Sequence, residues 1–217
     1  MAAKLTDLGF SKGIFAETIV STYNPDGTPN AAPMGIILEN EQTLTLNIFT
    51  TSSTNRNLKT SKCAVINLTT NIEAFYKTTF KETNPNCKLP KEWFDKAKTV
   101  NSPRLSFADA TIEISVMSIE PIGLERTKFF CSIEQIVAPK KYPQVYCRAM
   151  GATVEAITHA TRVKAFINDE KKQKQVSELL EMINRQRDLV NHVAPNSPYS
   201  LVMDDLMARI DSWRNKP

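Results

Sequence analysis

The run ETIVSTYNPDGTPNAAPMG, Glu17 to Gly35, reads as two β-strands around one turn. Ile19, Val20, Thr22 and Tyr23 are β-branched or aromatic and suit a pleated, half-buried surface. Asn24-Pro25-Asp26-Gly27 is a turn with a mechanism: Pro25 presets φ, Asp26 tolerates a bridge or left-handed conformation, and Gly27 supplies positive φ. The return strand carries Ala31-Ala32-Pro33-Met34-Gly35, small residues where a sheet normally places bulky ones. Glycine and proline in a strand mark a bulge, an edge or a close approach by another group. A flat ligand lying against backbone amides accounts for all three, and so makes Ala32, Pro33, Met34 and Gly35 candidate ligand contacts; an ordinary edge hairpin is the alternative.

Around this hairpin the chain divides into halves of different period. Up to about residue 140 it reads mostly as strands. Thr43 to Phe49 and Ala110 to Ile119 alternate with period two, the latter with Ile112, Ile114, Val116 and Ser118 on one face. Cys63 to Thr69 and Phe129 to Val137 are further strands. Asn55 to Ser61 is a short helix capped by Ser53 or Thr54, and Asn71 to Phe80 is another. Residues 81–105 form an insertion with Pro85, Pro90 and Pro103, and place Trp93 and Phe94 in a short helix. Such an insertion is either a binding lid or a surface excursion packed by its own aromatics. From residue 141 the pattern is helical. A helix follows Gly151, a second carries Val176, Leu179, Leu180, Ile183, Val190 and Val193, and a third carries Val202, Leu206, Ile210 and Trp213. Strands followed by helices predict an α+β fold: a barrel domain over 1–140 and a helical region over 141–217 packed on it.

The chain's 217 residues are enough for a sizeable core, and its 41% hydrophobic and 23% charged content is ordinary for a globular protein. A net charge of +4 with no long run of like charge gives no reason to expect nucleic acid. Lys171, Lys172 and Lys174 read as a solvated helix face, with an anion patch as the alternative. No stretch approaches the roughly 18 apolar residues of a membrane span, and the N-terminus lacks an apolar signal core. Four separated cysteines without a CxxC pair and two histidines suit a reducing cytosol and argue against zinc. The expectation is a cytoplasmic protein with neither metal nor membrane.

The chemistry falls to the loop Thr50-Thr51-Ser52-Ser53-Thr54, which follows a strand and opens a helix. Hydroxyl donors, unpaired N–H groups and the positive end of a helix dipole make an anion site, with phosphate as the natural guest. Arg56 adds a charge-assisted contact. The loop lacks GxxxxGK[ST], and the chain lacks GxGxxG. A second constellation, Glu155, His159 and Arg162, is spaced i, i+4, i+7 on one helix face. It is either an ion-paired polar face or a stripe turned toward a ligand. His159 is the one histidine near a motif, tunable by Glu155.

The hairpin, TNRNL at Thr54 to Leu58, AVIN at Ala64 to Asn67, and RAMGATVEAITHATR at Arg148 to Arg162, taken in this order and spacing, resemble a mainly archaeal family of flavin-binding split-barrel proteins, DUF447. The resemblance spans most of the chain. Thr54, Asn57 and Leu58 match the T-x-x-N-[LI] pattern that flavin reductase-like split barrels carry near the FMN phosphate. The strand Thr28 to Leu38 has no Lys or Arg, unlike barrels related to pyridoxamine phosphate oxidase, which favours the flavin reductase-like branch. The resemblance implies an FMN-binding split β-barrel with a C-terminal helical region. It implies a homodimer with flavin at the interface, and cofactor contacts at Ala32, Pro33, Met34, Gly35, Thr50, Thr51, Ser52, Ser53, Thr54, Asn57, Asn67 and Arg148. The implied activity is flavin-dependent redox chemistry on a small molecule. An F420-dependent reductase and a non-enzymatic flavin or small-ligand binding protein are the alternatives.

Overall fold

The computed structural model describes residues 4–10, 12, 15–138 and 148–214, which fall into two compact units. The first holds residues up to 69 and from 77 to 141; the second holds 70–76 and the chain from 142.

The first unit is a closed six-stranded antiparallel barrel. Its strands are β1 (Phe15–Tyr23), β2 (Pro29–Asn40), β3 (Thr43–Phe49), β4 (Cys63–Leu68), β7 (Ala110–Ile122) and β8 (Arg126–Val137), in the order β1-β2-β3-β8-β7-β4. Helix α1 (Ser53–Ser61) connects β3 to β4. Alternate side chains of the strands meet inside: Val20, Ile36, Leu46, Ile48, Ile66, Ile112, Ile114 and Phe129 are buried, with Leu58 of α1 among them. The β1–β2 turn forms as its residues dictate. Gly27 has φ +78°, its amide donates to the Asn24 carbonyl at 2.9 Å, and Asp26 accepts the amide and hydroxyl of Thr28.

The barrel is split between β2 and β3. Strand β2 pairs with β1 along its length, from Tyr23↔Pro29 to Phe15↔Ile37. It pairs with β3 only from Ile36↔Leu46 onward. Residues Asn47 to Phe49 of β3 stay paired with Lys128 to Arg126 of β8. Pro29 to Gly35 therefore have a strand on one side only. The fold is an α+β split β-barrel with a C-terminal helical region.

Strand β7 departs from simple alternation. Bulges at Glu113/Ile114 and Val116/Ser118 break its register against β8, so Ser118 is exposed instead of continuing the inward face. Glu113 is fully buried. Its carboxylate accepts the amides of Lys98, Thr99 and Val100 and the Thr99 hydroxyl. Burial alone raises its pKa, but these four donors outweigh it and hold the carboxyl below the ordinary glutamate range.

Those bonds tie down the end of the insertion. Its strands β5 (Phe94–Lys96) and β6 (Pro103–Leu105) form a small separate sheet, so Phe94 lies in a strand and not in the expected helix. Ser21 donates to the Pro103 carbonyl at 2.5 Å, and Ser102 donates to the Ser21 carbonyl at 3.0 Å. Trp93 packs edge-on against Phe107 at 5.3 Å. From residue 97 to 105 the insertion is stapled to the barrel wall, which does not suit a lid.

The second unit contains α3 (Arg148–Phe166), α4 (Gln173–Val193) and α5 (Pro198–Arg214). Gly151 lies inside α3 and does not precede it. Ala152, Ala156, Ile157, Ala160 and Val163 of α3 are buried, as are Leu179 and Ile183 of α4 and Leu206 and Ile210 of α5. Helix α2 (Ile72–Thr79) begins in this unit, where the Tyr76 hydroxyl bonds Asp205 and accepts from Arg209 Nε at 2.8 Å. Among the described residues no helix is long and apolar enough to cross a membrane.

Candidate functional site

The unpaired stretch of β2 is the first wall of the site. In an antiparallel ladder every second residue turns both its N–H and C=O to the same side. Along Pro29 to Gly35 the side away from β1 has no strand to receive them. Pro33 has no N–H to leave unsatisfied, which explains why a proline sits there. Ala32, Pro33, Met34 and Gly35 are all half-buried. The Met34 side chain packs against the barrel core, and its carbonyl accepts from the Thr18 hydroxyl at 3.0 Å. Met34 therefore spends both its side chain and its carbonyl on the barrel.

The hydroxyl loop is the second wall, and its five hydroxyl groups do different things. Thr50 donates its hydroxyl and its amide to the Glu125 carbonyl, which removes it from the donors available to an anion. Ser52 is the N-cap of α1, accepting the Asn55 amide at 3.1 Å; the cap is neither Ser53 nor Thr54. Ser53 Oγ accepts from Arg56 Nη2 at 3.1 Å. Thr54 Oγ1 accepts from Asn30 Nδ2 at 3.2 Å. Ser53 and Thr54 thus spend lone pairs and keep their hydroxyl protons. Thr51 is exposed. Its amide and those of Ser53 and Thr54 have no acceptor among the described residues. These N–H groups open α1, where the helix dipole favours negative charge.

A buried amide network joins the two walls. Asn30, fully buried on β2, donates to Thr22 Oγ1 at 3.1 Å as well as to Thr54. Asn57 donates to Thr22 Oγ1 at 2.9 Å and to Asn24 Oδ1 at 3.0 Å. Asn57 is thus a brace that fixes α1 on the hairpin. Asn55 donates to the Ile48 carbonyl, and its own Oδ1 is buried with no donor. The sequence motifs named Thr54 and Asn57 as candidate contacts and not Asn30, which shares their network and whose polar side chain on a core-facing strand position was the available signal. A cleft of about 480 Å³, lined by Tyr23, Asn24, Gly27, Asn57, Ser61 and Lys96 among others, lies beside the hairpin turn.

Asn67 does not belong to the site. Its Nδ2 donates to the Ile19 carbonyl and to Ser21 Oγ, both at 2.9 Å, and its Oδ1 accepts the Leu105 amide at 2.7 Å. Both ends of the amide are used and no surface is exposed. It is a structural tie between barrel and insertion. Arg148 is the exposed first residue of α3 in the second unit. In the same helix His159 lies 3.8 Å from Glu155, and Arg162 is exposed.

The backbone has known counterparts. An FMN-bound protein of Methanosarcina mazei, assigned to DUF447, superposes with a TM-score of 0.77 over 95% of this chain and 99% of its own, at 22% identity. Nitrilotriacetate monooxygenase component B from Bacillus cereus gives 0.51 over 68% of this chain and 82% of its own, at 17% identity. Among curated proteins the sequence has no match. Residues 16–136, more than half the chain, match the family model described as the N-terminal domain of a protein of unknown function, DUF447. That span runs from the start of the hairpin almost to the end of β8, and on this match the chain belongs to the DUF447 family.

Proposed function

We propose that the protein is an FMN-binding flavoprotein, and that it acts as an oxidoreductase on a small molecule. One observation carries the reading. A strand with an unsatisfied edge stands beside a helix start with unsatisfied amides, the two joined through Asn30 and Thr54. An isoalloxazine ring is flat and carries acceptors and one donor along its edge, which suits the open edge of β2 around Pro33 and Gly35. The phosphate suits the amides of Thr51, Ser53 and Thr54, the hydroxyls of Ser53 and Thr54, and the Arg56 guanidinium. FMN, when bound, supplies hydride acceptance and donation, while the protein supplies binding, orientation and electrostatics. The FMN-bound relative from M. mazei supports the same ligand.

The β2 edge provides one wall for a ring and leaves the opposite wall to another chain, which supports a homodimer with flavin at the interface. Arg148 stays a candidate phosphate ligand on the family resemblance. Four separated cysteines without a CxxC pair support a reducing, cytoplasmic setting.

The test is a titration of the purified protein with FMN and with riboflavin, followed by flavin fluorescence. FMN should bind more tightly, by about tenfold or more for a phosphate held by several charge-assisted bonds. Equal affinities would remove the phosphate assignment. Anaerobic mixing of the FMN complex with NADH or NADPH then separates enzyme from binding protein. Bleaching of the flavin absorbance supports a reductase. A flavin that dithionite reduces but neither nicotinamide nor reduced F420 does supports a carrier.

A further inference from the structure

Lys81 follows α2 and begins the insertion, in the first unit. It is half-buried, and its ammonium donates to Asn30 Oδ1, a neutral carbonyl. No carboxylate pairs with it among the described residues. Asn30 passes the contact on, since its Nδ2 donates to Thr54 Oγ1 at 3.2 Å. A desolvated ammonium thus stands one side chain away from the start of a helix whose end is itself positive. Two positive features placed together, with two ammonium protons to spare and no counter-charge, raise the free energy of the ligand-free protein. An anion between them removes that cost. Burial also pushes the Lys81 pKa down, the direction expected of an ammonium without a carboxylate partner.

We propose that Lys81 is the fixed cation of an oxyanion site shared with the Ser53-Thr54 turn, held in place by Asn30, and that it is what makes the protein prefer a phosphorylated flavin. The proposal rests on the FMN reading for the identity of the ligand, but not for the anion itself. It places the cation on the insertion, outside the strand Thr28 to Leu38 and outside Arg56.

Lys81→Met keeps the length of the side chain and removes the charge. Three measurements are made on this variant and the wild type: apo melting temperature, the melting shift caused by inorganic phosphate, and affinities for FMN and riboflavin. The expected result has three parts. The apo variant melts no lower than wild type, phosphate stabilises wild type but not the variant, and FMN affinity falls about 10- to 100-fold while riboflavin affinity holds. Lys81→Arg, which keeps the charge, should restore part of the phosphate shift. A variant that melts lower but keeps the full phosphate shift would overturn the proposal and make Lys81 a brace for Asn30. Equal weakening of FMN and riboflavin would overturn it as well. If the phosphate shift depends on Lys81 but neither flavin binds wild type, the anion site stands and the FMN reading falls. If both variants fail to fold, Asn30→Ala, which frees the ammonium from its anchor, must weaken the phosphate shift, and an unchanged shift overturns the proposal.

Discussion

Glu113 and Thr99 are joined twice: one carboxylate oxygen accepts the Thr99 amide at 2.6 Å and its hydroxyl at 2.5 Å. With the Lys98 and Val100 amides this turns residues 98–100 into a cradle around a buried negative charge. Glu113→Gln keeps the shape, but one oxygen becomes an NH2 group facing N–H donors. The expected loss is about 2–4 kcal/mol. The pH dependence has a definite sign. The folded-state pKa is depressed, so the contribution is complete above the ordinary glutamate value of about 4.3 and is lost as pH falls through the folded value. Chemical denaturation of wild type and Glu113→Gln at pH 7 and pH 3.5 should give stability curves that converge on the acid side. A constant gap would contradict a charged Glu113.

Asn67 makes a prediction of a different kind. Asn67→Ala strands the Leu105 amide and the Ile19 carbonyl in a dry interior. Stability should fall by about 2–4 kcal/mol, with FMN affinity of the folded fraction unchanged. Loss of flavin affinity at unchanged stability would return Asn67 to the ligand set.

Gly35 lies on the unpaired stretch of β2, opposite Glu17. If a ring lies against this edge, Gly35→Leu should abolish flavin binding, while circular dichroism and melting of the apo protein stay near wild type. Retained affinity would mean that the glycine serves only the backbone.

Ser52 caps α1 through the Asn55 amide. Ser52→Ala should cost about 1 kcal/mol, a melting decrease of roughly 2–4 °C for a chain of this size. Because α1 positions the Ser53 and Thr54 amides, FMN affinity should fall more than riboflavin affinity.

The hairpin was legible because Asn24-Pro25-Asp26-Gly27 has one cheap conformation and because Ile19 and Val20 want a sheet. The helix α5 followed from Val202, Leu206 and Ile210 at helical spacing. Glu113 was illegible for a physical reason. Alternation with Ile112 and Ile114 assigns it to the outer face, and nothing local announces that an insertion will cover that face with amides. Lys81 was hidden in the same way, since its neighbours in sequence are not the residues it meets. The split between β2 and β3 depends on where two strands part, a property of the closed barrel and not of either strand alone. Asn67 misled because a motif says nothing of where one side chain turns, and this one turns into the wall.

The one-sided pairing of β2 also fixes how fast its protons trade with solvent. Between Asn30 and Gly35 the amides turned toward β1 are held in a ladder and should exchange slowly. Those turned the other way have no carbonyl to hold them. Within a single strand of the ligand-free protein, deuterium uptake should therefore alternate from residue to residue, with Pro33 silent. Whatever fills the gap should erase that alternation, and the residues at which it vanishes would trace the outline of the bound molecule.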